Sequence, residues 1–171
     1  ARIVRAPELD DIRPRLAYKC GEVLARIHAI DPDAAGLSPH LETYDAGAFV
    51  ERMWTQYREL GTPQPMIDFS ARWLLDHLPP PSEPRLVHND FRNGNVMVGP
   101  EGVMAVLDWE VAHLGDPMRD LGWICTNSWR FGQRDLPVGG FGELADLLAG
   151  YEAESGVAVD PEHVRFWEVF G

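Results

Sequence analysis

His88-Asn89-Asp90-Phe91-Arg92-Asn93-Gly94-Asn95-Val96-Met97-Val98-Gly99-Pro100-Glu101-Gly102-Val103-Met104-Ala105-Val106-Leu107-Asp108 is the stretch on which the reading of this chain turns. Val96-Met97-Val98 and Val103-Met104-Ala105-Val106-Leu107 are short apolar runs rich in β-branched residues, and Gly99-Pro100-Glu101-Gly102 between them is built of turn formers. They are expected to pair as an antiparallel hairpin. If Gly99 faces Met104, counting outward sets Asn95 opposite Asp108, and directly opposed residues lie roughly 4.5 to 5.5 Å apart. One small cation could bridge the two. Asp90, five residues before Asn95, lies in a loop ending at the same end of the hairpin and adds a carboxylate beside that cation. Such a grouping suits phosphoryl transfer.

The rest of the composition narrows the alternatives. At 171 residues with 45% hydrophobic content the chain fits one domain with a real core. No run has the length of a transmembrane helix and the first residues lack the apolar stretch of a signal peptide, so the expectation is a cytoplasmic protein without a membrane partner. A formal charge of -12 argues against a nucleic-acid surface, because phosphate backbones select basic patches. Cys20 and Cys125, far apart and each in a helical pattern, read as buried free thiols. His28, His40, His77, His113 and His163 share no metal-ligand spacing and read as core or surface residues. The tryptophans, at helical spacing, are assigned to core packing.

Helical periodicity dominates the remainder. Residues 12–30 carry Leu16, Cys20, Val23, Leu24 and Ile27 on one face; Phe49 to Leu60 gives a second helix, and Met66 to Leu78 a third, ended by Pro79-Pro80-Pro81. After the hairpin a helix starts at Pro117 with Leu121, Ile124, Cys125 and Trp129 on one face, and further helices fall near 141–154 and 161–170. The fold class is therefore α+β, mostly helical with one small sheet. Gly140-Phe141-Gly142 imitates a dinucleotide fingerprint but lacks the preceding strand and the βαβ unit.

His88-x-Asp90-x-x-x-x-Asn95 followed by Asp108 has the spacing of the kinase catalytic loop and its metal-binding aspartate. With Leu107-Asp108-Trp109-Glu110 and Gly115-Asp116-Pro117-Met118-Arg119-Asp120-Leu121, the chain resembles the aminoglycoside phosphotransferase and choline kinase-like family, and within it the kinase-like domains found with acyl-CoA dehydrogenase-type proteins. The resemblance runs from about Val4 to the end and implies the C-terminal lobe of the protein kinase-like fold. It implies Asp90 as the catalytic residue that orients the substrate hydroxyl and takes its proton, and Asn95 and Asp108 as the residues that hold magnesium and, through it, ATP or GTP. Glu110 is a further candidate for a second cation or the substrate. His88, Asp116 and Asp120 are implied to support the loop, Asp116 by capping the helix that Pro117 begins.

A kinase also needs a Gly-rich loop and a strand lysine over the nucleotide. No such loop precedes His88, and Lys19, the only lysine, lies in a helical pattern. The expectation is a single helical lobe over residues 1–171, with residues 1–10 as the inter-lobe connection and the nucleotide lobe absent. Such a segment is expected to be inactive alone and to form a homodimer through the surface that the missing lobe would cover. The function expected of the full protein is ATP-dependent phosphorylation of a small-molecule hydroxyl. Two rivals are a degenerate kinase-like binding module and a metal-dependent phosphoesterase, the second disfavoured because two-metal hydrolases need clustered His and Asp ligands.

Overall fold

A computed structural model describes residues 2–171. The chain opens with a short helix α1 (Arg2–Arg5) and a tight helical turn at Pro7–Leu9, and the long helix α2 (Arg13–His28) follows. Helices α3 (Ala46–Glu59) and α4 (Pro65–Asp76) form a helical pair, and β1 (Arg85–Val87) leads into the loop that ends at β2 (Val96–Gly99) and β3 (Gly102–Val106). Strand β4 (His113–Gly115), α5 (Met118–Cys125), α6 (Leu144–Ser155) and α7 (Pro161–Phe170) complete the order. The chain is α+β and mostly helical, as its periodicity indicates, and the helix bounds fall close to those read from spacing. Among the described residues no helix is long and apolar enough to cross a membrane.

Packing explains which helices form. α2 buries Leu16, Ala17, Cys20, Gly21 and Leu24 on one stripe and lies along α6, whose buried residues include Leu147, Leu148, Gly150 and Tyr151. This contact is close because it is made through glycine: a methyl at Gly150 would strike the Tyr18 carbonyl, and one at Gly21 the Leu147 carbonyl. α5 runs along α7 in the same manner, with Gly122 against Trp167. Leu121, Ile124, Leu147, Val164 and Trp167 lie in the core these four helices share. Capping sets the starts: Asp45 accepts from the backbone N–H of Ala48 before α3, and Asp160 from that of Glu162 before α7.

Three readings from sequence need correction. Instead of one sheet the described residues form two, β1 with β4 and β2 with β3, both antiparallel. The hairpin register also differs: Val96 pairs with Val106 and Met97 with Ala105, then, after a bulge, Val98 with Val103 and Gly99 with Gly102. The turn closes on two residues, Pro100 and Glu101, instead of four, and the bulge takes up one of the two residues gained, so Leu107 replaces Asp108 opposite Asn95. Trp129, read onto the helix after Pro117, lies beyond α5 in a helical turn at Asn127–Trp129.

Replacing Gly150 by alanine should force α2 and α6 apart. The expected loss is about 1–3 kcal/mol, read as a lowered midpoint in chemical denaturation; an unchanged midpoint would show that the helices do not need this approach.

Candidate active site

The site is assembled on the loop between β1 and β2. Its anchor is Asp120 at the start of α5, a fully buried carboxylate that accepts from the backbone N–H groups of His88 (2.8 Å) and Asn89 (2.7 Å). His28 Nε2 lies 3.1 Å from Oδ2, the oxygen that also accepts from the His88 amide, and the His28 Nδ1 lies 3.0 Å from the Tyr151 hydroxyl, so α2, α5 and α6 meet at one charge. Burial alone would raise the Asp120 carboxyl, but the hydrogen bond and charge of His28 and the loop amides hold it below its ordinary value. Asn89 takes the left-handed backbone region, φ 68°, which Asn tolerates better than most residues, and the chain turns there into Asp90.

His88 is buried with both ring nitrogens occupied: Nε2 donates to the Leu107 carbonyl (2.9 Å) and Nδ1 accepts from the Asp90 backbone N–H (3.1 Å). It ties the loop to the end of β3 and has no nitrogen left to act as a base. Asp116 accepts from the Met118 N–H (3.0 Å), which matches the capping expected of it, and from His163 Nε2 (2.5 Å) and Trp167 Nε1 (2.8 Å), which fasten α7 to the start of α5. Here too burial is opposed by the histidine, and the carboxyl lies below its ordinary value.

Asp90 itself is surrounded by donors. Trp123 Nε1–H donates to Oδ1 (2.8 Å), Asn95 Nδ2 to Oδ2 (2.6 Å), and the Arg92 Nε–H is shared between Oδ1 (3.0 Å) and Oδ2 (3.1 Å). Asn95 Nδ2 also reaches the Asp90 carbonyl (3.0 Å), which turns the amide so that its Oδ1 accepts no hydrogen bond among the described residues. The Leu107 N–H donates to the Asn95 carbonyl at 2.8 Å, and Asp108 follows at once with φ 69°, exposed and with its carboxylate unbonded among the described residues. Asn95 and Asp108 thus still stand at one end of the hairpin although the register differs. Glu110 is exposed in the turn that follows.

Several residues around the site escaped the sequence reading. Trp123, Trp129 and Trp109 were assigned to the core with the other tryptophans, but of the six only Trp167 is fully buried there. Trp123 holds Asp90, Trp129 lies under the Arg92 guanidinium at 4.7 Å, and Trp109 meets His88 edge to face at 4.6 Å. Arg119 is buried among aromatic rings, 4.4 Å from Trp123 and 4.7 Å from Phe170, and burial pushes its guanidinium down to about 10. One signal was available: Trp123 lies off the Leu121, Ile124 and Cys125 face of α5 and so points away from the packed side. The cysteines are buried free thiols as expected, and burial pushes both upward, which makes them poor nucleophiles.

This loop, hairpin and helix pattern is that of a phosphotransferase, and residues 1–157 match the model of the phosphotransferase enzyme family; the chain belongs to that family. Among curated relatives, acyl-CoA dehydrogenase family member 10 of Mus musculus is 38% identical over 124 residues, 70% of this chain and 12% of that protein. Acyl-CoA dehydrogenase family member 11 of Gallus gallus is 33% identical over 166 residues, 90% of this chain and 21% of that protein. Among solved structures, a Ralstonia eutropha protein provisionally assigned as an aminoglycoside phosphotransferase superposes with a TM-score of 0.73 at 29% identity, covering 94% of this chain and 54% of that one. A macrolide 2'-phosphotransferase of type I shares the fold, with a TM-score of 0.66 at 21% identity over 91% of this chain and 50% of that one. The chain therefore spans about half the length of these solved relatives and a smaller part of the curated ones.

Because Asp116 and Asp120 lie below their ordinary values in the folded state, their contribution to stability is fully present above about pH 4, the unfolded carboxylate range. It is lost as pH falls through the lower folded values. Acid titration followed by circular dichroism should show Asp120→Asn less stable than the parent at pH 7, with the gap narrowing as pH falls below about 4. A gap that stays constant down to pH 2 would contradict the assignment.

Proposed function

We propose that the full-length protein containing this chain is an ATP-dependent phosphotransferase whose acceptor is the hydroxyl of a small molecule, with Asp90 as the group that takes the hydroxyl proton. The observation that carries the reading is the pairing of a held carboxylate with free oxygens. Asp90 is fixed by Trp123, Asn95 and the His88 ring, while Asn95 Oδ1 and the Asp108 carboxylate stand unbonded among the described residues at the end of the hairpin. Two oxygen donors with no competing partner fit magnesium, which takes few protein ligands and completes its shell with phosphate and water. When bound there, the cation would supply neutralisation of charge on the nucleotide phosphates.

The chemistry asked of the chain is then modest. The acceptor oxygen forms a bond to the γ-phosphorus, the bond from that phosphorus to the β–γ bridging oxygen breaks, and ADP leaves with the electron pair. The acceptor proton passes to the Asp90 carboxylate. The protein's own share is to hold the hydroxyl in line and to keep the carboxylate oriented, which is how most of the barrier is lowered in this class of reaction.

The test is a panel of hydroxyl compounds offered to the full-length protein with magnesium and ATP. Asp90→Asn, which keeps the shape and removes the proton acceptor, should lower kcat about 100-fold or more with little change in KM for ATP. Transfer undiminished in that variant would overturn the reading.

A further inference from the structure

We infer that Arg92 is a latch on Asp90, closed against water and opened by an acceptor that is anchored through its non-reacting groups, so that it sets the selectivity of transfer over hydrolysis. The inference rests on the reading of Asp90 as proton acceptor. An ionised carboxylate offers about four lone-pair positions. Here Trp123 meets Oδ1, Asn95 meets Oδ2 and the Arg92 Nε–H bridges both, so the four positions are taken and a hydroxyl that is to give its proton to Asp90 has to displace a donor.

The three donors are not equally free to leave. Trp123 is wedged between Arg119, 4.4 Å from its ring, and Trp129, 5.6 Å away and tilted across it. Asn95 is buried, and its Nδ2 also serves the Asp90 carbonyl. Arg92 differs from both. Its side chain is 29% exposed, and its two Nη groups reach no acceptor among the described residues. Among the described residues its one anchor besides Asp90 is the flat face of Trp129, over which it can slide without breaking another hydrogen bond.

Arg92 is therefore the donor that yields, and what displaces it matters. A water molecule brings only its own hydrogen bond, too little to replace a charge-assisted one. An acceptor anchored through its non-reacting surface can use that binding energy at the reacting centre. For a partly exposed ion pair the resulting discrimination is about fivefold. In the suppressed side reaction, water oxygen would bond to the γ-phosphorus, the bond to the bridging oxygen would break with ADP taking the pair, and the water proton would go to Asp90.

The experiment uses the full-length protein with magnesium and ATP and no acceptor, and measures inorganic phosphate released. Arg92→Ala should hydrolyse ATP about fivefold faster than the parent, Arg92→Lys should fall between them, and the double variant with Asp90→Asn should return to background. A purely structural role for Arg92 would slow hydrolysis or leave it unchanged. Arg92→Gln, which keeps the stack on Trp129 and removes the charge, serves where thermal melting shows the alanine variant unfolded. If neither uncharged variant exceeds the parent rate, the latch is refuted and the reading of Asp90 stands. If the acceleration survives Asp90→Asn, Asp90 is not the proton acceptor and the reading of the site falls with the latch.

Discussion

Everything in the site hangs from one buried charge. Asp120 has no exposure to solvent, and a carboxylate so placed without partners would carry a penalty of several kcal/mol. It is tolerable because two loop amides and a histidine from another helix converge on it. The same contacts leave the β1–β2 loop only one path. With His88 and Asn89 held by their backbones, and the turn at Asn89 made in the left-handed region, Asp90 emerges toward Asn95 and α5. Tyr151 behind His28 carries the constraint on to α6, the helix that α2 meets through glycine.

A second level of support orients side chains once the backbone is set. His88 uses one nitrogen on the loop and the other on the Leu107 carbonyl, so the residue before Asp108 and the backbone N–H of Asp90 share one ring. The left-handed conformation at Asp108 carries strain of order 1 kcal/mol for a residue other than glycine. Its effect is to swing a carboxylate out of the strand direction just past Asn95. Rigid helices behind a short loop are a common way to fix a reacting group while leaving room in front of it for substrate.

Much of this was legible before any coordinates. The helices announce themselves through apolar residues at three- and four-residue steps, and the order His88, Asp90, Asn95, Asp108 points to the chemistry proposed for the site because the spacing of such a loop is a local property. What escaped depends on non-local or sub-residue detail. β1 and β4 have three residues each and pair across a separation of more than twenty, too short and too distant for a period to show. The bulge at Met97 and Val98 changes the register by one residue with no turn former to mark it. The roles of Arg92, Trp123 and Trp129 follow from which way their side chains point, and composition assigns aromatic residues to the core wherever their spacing is helical.

The chain covers about half of the solved phosphotransferases it superposes on, and it is the half that carries Asp90, Asn95 and Asp108. The most direct measurement is a crystal structure of the full-length protein with magnesium and ADP. The account predicts a cation about 2.1 Å from both Asn95 Oδ1 and an Asp108 carboxylate oxygen, with Asp90 outside its coordination shell. A cation bound without either residue, or one ligated by Asp90 itself, would contradict it.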